Sequence, residues 1–278
     1  MKKRITKTIM AVAMVTLICV VPVSADTDGE NAGLTLAGRT CVFEGGTGNI
    51  GHDAVLMMAE KGMNVVLVTH NPTSAEKIVN EAAGLPGTVT AMSNDESMEE
   101  LFANIEEEFG SVDVYINKTG SKSAPVELED MSAEVLQGKL VKTAETFEKV
   151  MVAIPFLERS EHGRLILTSC AGSLNGNSYE SIYDKVACGA INSMVYSLAE
   201  ALSDRNITVN GISMSGIIND HEAEEGALDI SSYESVIPVG HAGTSQEYGG
   251  LLIYLASEEA DFMTGSILNL TGGLHIGM

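Results

Sequence analysis

Seven short apolar runs alternate along the chain with longer segments whose apolar residues recur at three- and four-residue steps. The runs are Thr40 to Phe43, Asn64 to Thr69, Thr88 to Met92, Val112 to Asn117, Arg164 to Ser169, Ile207 to Ile212 and Ser266 to Leu270. Runs of this length read as buried strands, and the stepped segments between them read as helices. The helical pattern opens at Ile50 and Gly51 with Ala54, Val55, Met58 and Ala59, and returns over Ser74 to Ala83. A capping box, Ser97 with Glu100, opens a helix to Phe109, and a second, Thr244 with Glu247, opens one to Ser257. The longest patterns cover Ala133 to Glu158, with an interruption predicted near Pro155, and Tyr183 to Leu202. Continuous apolar strands alternating with helices predict a parallel sheet covered on both faces. The expected fold is one doubly wound α/β domain over 34–278, with a mostly parallel seven-stranded sheet.

Residues 1–25 break that pattern. Lys2, Lys3, Arg4 and Lys7 precede an apolar stretch from Ile9 to Val23, and Val23, Ser24 and Ala25 offer small residues before Asp26. A charged start, a short apolar core and a small-residue end predict a secretory signal peptide, and hence export. Residues 26–33 read as a flexible leader. No other segment is apolar enough to cross a membrane.

The chain of 278 residues carries 16 Lys and Arg against 38 Asp and Glu, a net charge of −22. That balance argues against nucleic-acid binding, which needs clustered cations to neutralise phosphates. Cys41, Cys170 and Cys188 remain beyond the leader, an odd number placed in strand or helix segments, so buried unpaired thiols are expected rather than a disulfide framework. The histidines show no metal-ligand spacing, and no metal site is expected.

Between the first run and the first helix stand Gly45, Gly46, Thr47, Gly48, Asn49, Ile50 and Gly51. Gly46, Gly48 and Gly51 satisfy G-x-G-x-x-G in strand–turn–helix context. Glycines there permit a tight turn and let backbone approach a pyrophosphate, which the helix N-terminus attracts. A dinucleotide is the expected ligand.

Longer stretches resemble the short-chain dehydrogenase/reductase family over nearly all of 34–278. Ser97 to Gly120 is similar to the family's helix and strand ending in N-N-A-G, here N-K-T-G with Asn117 and Gly120 kept. Gly163 to Gly172 resembles the strand with the catalytic serine, and Asn206 to Gly216 the strand ending in Pro-Gly, here Met214 and Ser215. Gly240 to Gly273 resembles the closing segment. The subgroup resembles the 3-oxoacyl-acyl-carrier-protein reductases and their relatives, and the glycine loop also resembles the extended, epimerase-like branch. The resemblance implies a Rossmann-type fold, an NAD or NADP cofactor, a small-molecule carbonyl or alcohol substrate, and a homo-oligomer associated through the helices at 133–158 and 183–202. It also implies a cofactor site formed by Gly45 to Gly51 with Thr69, Asn117 and Gly120. Thr69 holds the strand-end position where an acidic residue would select free ribose hydroxyls, and His70 follows, so the choice of dinucleotide stays open.

The family's catalytic set is Asn, Ser, Tyr and Lys. Ser169 matches the serine, and Tyr183 stands near the family spacing from it. Ala187 occupies the place of the lysine in Y-x-x-x-K, the group that would assist proton transfer from the tyrosine. Lys185 lies two residues after Tyr183, on another side of a helix. Lys142 occupies the asparagine position and is a candidate replacement cation. Glu44 replaces the threonine before the loop, a repulsive neighbour for phosphates unless it points away or is neutralised, and Asn49 occupies a family glycine position. Residues 217–230 hold few bulky apolar side chains, so a small polar substrate, or none, is expected. Two functions stay open: an NAD(P)-dependent oxidoreductase, and an exported, catalytically impaired relative with a ligand-binding or structural role.

Overall fold

The computed structural model describes residues 34–93, 97–118, 123, 125–176, 180–218 and 235–276. The predicted signal peptide and leader, Gly120 and most of the acidic segment at 217–230 lie outside the described residues. Among these residues the strands are β1 (Thr40–Glu44), β2 (Asn64–Thr69), β3 (Val89–Ser93), β4 (Val114–Asn117), β5 (Gly163–Cys170), β6 (Ile207–Met214), β7 (Ile217–Ile218), β8 (Gly243–Thr244) and β9 (Ile267–Leu270). The helices are α1 (Asn49–Glu60), α2 (Pro72–Glu81), α3 (Met98–Phe109), α4 (Ala133–Leu157), α5 (Gly172–Asn175), α6 (Ile182–Leu202) and α7 (Ser245–Ala256).

The predicted seven-stranded sheet is present and wholly parallel, in the order β3-β2-β1-β4-β5-β6-β9. Its strands are continuously apolar because both faces are covered. On one face α1 and α7 bury Ala54, Val55, Met58, Tyr248, Leu252 and Leu255 against Phe43, Leu67 and Ile166. On the other, α3, α4 and α6 bury Phe102, Ile105, Val150, Ala153, Val195 and Ala199 against Val42, Tyr115, Leu165 and Val209. The strand order reverses between β1 and β4, and ligands of such sheets bind beyond the carboxyl ends at that crevice. Glu44 and Asn117 are register partners there.

Both capping boxes form: Ser97 Oγ accepts from Glu100 N at 3.3 Å, and Thr244 Oγ1 from Glu247 N at 3.3 Å. The helix predicted from Ser74 begins earlier, at Pro72, because Asn71 caps it by accepting from Ser74 N at 3.1 Å. The interruption expected at Pro155 does not occur, and α4 continues through it to Leu157. A proline this close to the C-terminal end removes one intrahelical bond, and its carbonyl still accepts from Arg159 Nη1 at 2.7 Å. No helix among the described residues is long and apolar enough to cross a membrane.

Candidate active site

The turn from β1 into α1 is built around its glycines. Gly45 has φ +82°, and a Cβ there would lie 2.1 Å from the carbonyl oxygen of Lys118. A Cβ on Gly51 would lie 2.6 Å from Gly45 O and 2.7 Å from Gly46 Cα. The loop is therefore folded onto the first turn of α1 and the end of β4 more tightly than any side chain permits. Gly48 caps α1 without a side-chain hydrogen bond, and the first turn holds no acidic residue. Gly48 and Asn49 are exposed and Thr47 and Ile50 half-buried, so the positive end of the helix faces outward beside an open rim. Thr47 Oγ1 lies 3.2 Å from Thr69 Oγ1, which ties the loop to the end of β2. The described residues of this turn fit a dinucleotide's pyrophosphate: a helix N-terminus, glycines at its closest approaches and no acidic residue in the first turn.

Glu44 was the objection to that fit, and the fold removes it. Its side chain is buried, and Oε2 accepts a hydrogen bond from Nζ of Lys149, which reaches over from α4. Oε1 accepts from the Tyr115 hydroxyl at 2.5 Å. The Tyr115 oxygen in turn accepts from Asn117 Nδ2 at 3.2 Å. Burial first, then the Glu44 charge, hold the Tyr115 phenol protonated well above its ordinary range. Asn117 is buried at the end of β4 and belongs to this chain of bonds.

At the far side of the crevice, the sequence candidates are less well joined. Ser169 sits near the end of β5 with a buried hydroxyl that finds no hydrogen-bond partner among the described residues. Tyr183 is buried in the first turn of α6, and its oxygen accepts from the backbone N–H of Ser132, the residue that caps α4, at 2.7 Å. No hydrogen bond connects Ser169 with Tyr183. Lys142 is exposed on α4. The α4 lysine that reaches α6 is Lys139, whose Nζ lies 2.7 Å from Asp184 Oδ1. Asp184 also accepts from Ser123 N at 2.7 Å. Lys185 lies against Gly172: a Cβ on that glycine would be 3.1 Å from Lys185 Cε.

The periodicity of α6 explains this arrangement. Tyr183, Asn192, Val195, Ala199 and Leu202 are its buried residues. Continued backward from Asn192 in helical steps, the stripe formed by the last four meets Cys188 and Asp184, whereas Tyr183 is buried to one side of it, against the cap of α4. Cys170, at the end of β5, donates its thiol to the Asp184 carbonyl across 3.7 Å. Glu180, also buried, accepts from Gly172 N at 2.6 Å through Oε2. Cys170 and Cys41 are buried as expected of small apolar thiols, whereas Cys188 is only half-buried.

Sequence reasoning missed Lys139, Lys149, Tyr115 and Asp184. The signal for Lys149 was present: it stands next to Val150 and three residues after Thr146, on the buried stripe of α4. No group of three or more metal-ligating side chains assembles among the described residues.

A family model described as enoyl-(acyl carrier protein) reductase matches residues 46–275. The 3-oxoacyl-[acyl-carrier-protein] reductase FabG of Thermotoga maritima is 26% identical over 257 residues, covering 87% of this chain and 100% of that protein. The L-rhamnose 1-dehydrogenase (NAD(P)(+)) of a Sphingomonas species is also 26% identical, covering 87% of this chain and 98% of its own. Among solved structures, the Pseudomonas aeruginosa RhlG/NADP active-site complex superposes with a TM-score of 0.78 at 20% identity, covering 87% of this chain and 98% of that one, a likeness of fold.

Proposed function

As the chain belongs to the short-chain dehydrogenase/reductase family, we propose that it is an NAD(P)-dependent oxidoreductase that interconverts a small carbonyl compound and its alcohol, with weak turnover. One observation carries the dinucleotide: Glu44, the misplaced carboxylate, is buried and neutralised by Lys149 beneath an intact glycine cradle. The backbone of Thr47 to Ile50 would hold the pyrophosphate, and Thr69 would face the adenosine ribose. Asn117 would border the cofactor from the end of β4. The bound nicotinamide supplies or accepts the hydride.

The chain's own part in the chemistry is assigned as follows. Ser169 polarises the carbonyl from the end of β5. Tyr183 gives the proton to the substrate oxygen. The Ser132 amide bonded to the Tyr183 oxygen leaves the phenolic hydrogen available and stabilises the charge that stays behind. Lys142, exposed on α4, is the remaining cation of the proposed set. With Ala187 in place of the lysine, proton transfer is poorly assisted and turnover is weak.

Titration of NADH and NADPH against the purified protein, followed by carbonyl-reduction assays, tests this assignment. Binding of neither dinucleotide overturns it. Dinucleotide binding with no turnover of any carbonyl or alcohol supports a second reading, an exported and catalytically impaired relative. The absence of lysine at 187 favours that reading.

Export through the predicted signal peptide belongs to the same proposal, as does homo-oligomerisation. Val135, Val141 and Phe147 on α4, and Ile182, Val186 and Tyr196 on α6, are large apolar side chains left exposed. A second copy would cover them.

A further inference from the structure

Two thiols stand together at the reaction end of the sheet, and neither has a part in the proposed chemistry. Cys170 ends β5 and is buried, whereas Cys188, its hydrogen-bonding neighbour on α6, is half-buried. Their closeness follows from geometry. The Cys170 thiol lies 3.7 Å from the carbonyl of Asp184, and that carbonyl belongs to the residue one helical turn before Cys188. A helical side chain leans back over the turn before its own Cα, which directs the Cys188 side chain toward that carbonyl, and the Cys170 and Cys188 thiols are hydrogen-bonding neighbours. Neither sulfur is in a disulfide. We infer that Cys170 and Cys188 are an oxidisable pair that closes to a disulfide by exchange with a small-molecule disulfide, a modification that ties β5 to α6 beside the candidate active site.

Exposure sets the order of events. Cys188, the more exposed sulfur, attacks as a thiolate one sulfur of the small disulfide. The new S–S bond forms as the old one breaks, and the first small thiolate leaves and takes up a proton. Cys170 then passes its proton to the adjacent Glu180 carboxylate or to water and attacks the Cys188 sulfur. The Cys170–Cys188 bond forms, and the second small thiol leaves. Two protein thiols are oxidised, one small disulfide is reduced to two thiols, and the two protons given up by the cysteines balance the two gained. The bond to Cys188, burial and the Glu180 charge keep the Cys170 thiol protonated far above the ordinary range. The second step is therefore the slow one.

The full chain, folded and reduced, is incubated with oxidised glutathione, and its peptides are mapped by mass spectrometry without reduction. A Cys170–Cys188 cross-linked pair that has lost two hydrogens, and that dithiothreitol reverses, is the expected product. Cys41, wholly buried, stays unmodified and reports that the protein remained folded. Cys170→Ser should accumulate glutathione on Cys188 instead, and Cys188→Ser should leave Cys170 unmodified. A lasting glutathione adduct on Cys188 of the unsubstituted chain, or no reaction at either thiol, overturns the inference. Dinucleotide binding plays no part in the readout.

Discussion

Lys149 of α4 and Glu44 of β1 form an ion pair beneath the glycine loop, across 105 residues of chain, with the Glu44 side chain 5% exposed and that of Lys149 26%. Replacing one partner strands the other's charge in a poorly solvated place. Lys149→Met should cost about 3–5 kcal/mol, the range for breaking a buried pair. Glu44→Thr restores the family residue, yet it should also destabilise, because it leaves Lys149 and the Tyr115 hydroxyl without their acceptor. The double variant Glu44→Thr with Lys149→Met should recover most of the loss. Urea unfolding of the four proteins measures this, and additive losses would show the pair to be uncoupled.

The rim of the loop offers a gain. Asn49 is exposed where the family has glycine, so Asn49→Gly should tighten NADH or NADPH binding several-fold. The helix would lose only a few tenths of a kcal/mol, the propensity difference between the two residues. Gly51→Ala should abolish binding, since its Cβ would meet the Gly45 carbonyl oxygen at 2.6 Å. Fluorescence titration with a parallel thermal melt separates the two effects.

Tyr183 has a structural bond as well as a proposed chemical one. Tyr183→Phe leaves the exposed Ser132 amide without its protein acceptor and should cost about 0.5–1.5 kcal/mol. It should also remove whatever turnover the protein has. Ala187→Lys should raise kcat with little change in KM. Lys142→Met, at an exposed position, should lower kcat without lowering stability by more than about 0.5 kcal/mol. Steady-state kinetics on one carbonyl substrate decide all three, and undiminished turnover in Tyr183→Phe would assign the acid elsewhere.

The exposed apolar residues of α4 and α6 should be the contact between copies. Phe147 is 46% and Tyr196 50% exposed in the single chain. Phe147→Glu with Tyr196→Glu should convert an oligomer to monomers in sedimentation velocity while dinucleotide affinity is retained. A monomeric unsubstituted protein at micromolar concentration would refute the contact.

Processing should remove residues 1–25. Edman sequencing of the protein recovered from outside the cytoplasm should begin at or next to Asp26, and a product that keeps Met1 contradicts export.

What the chain alone determined is what local chemistry controls. Apolar runs and helical steps marked all seven strands of the parallel sheet, because burial on both faces writes itself into consecutive residues. The capping boxes at Ser97 and Thr244 fixed two helix starts, because each cap is closed within four residues. The glycine turn was legible because Gly45 and Gly51 stand where no side chain fits. Tertiary structure alone decided where charge and polarity point. Glu44 is harmless because Lys149 of α4 reaches its carboxylate from across the sheet's face. Tyr183 turns to the cap of α4, and Cys188 turns to Cys170, because the buried stripe of α6 sets that helix's rotation on the sheet. A motif counts residues along one helix, but its rotation is fixed by packing against partners far away in sequence.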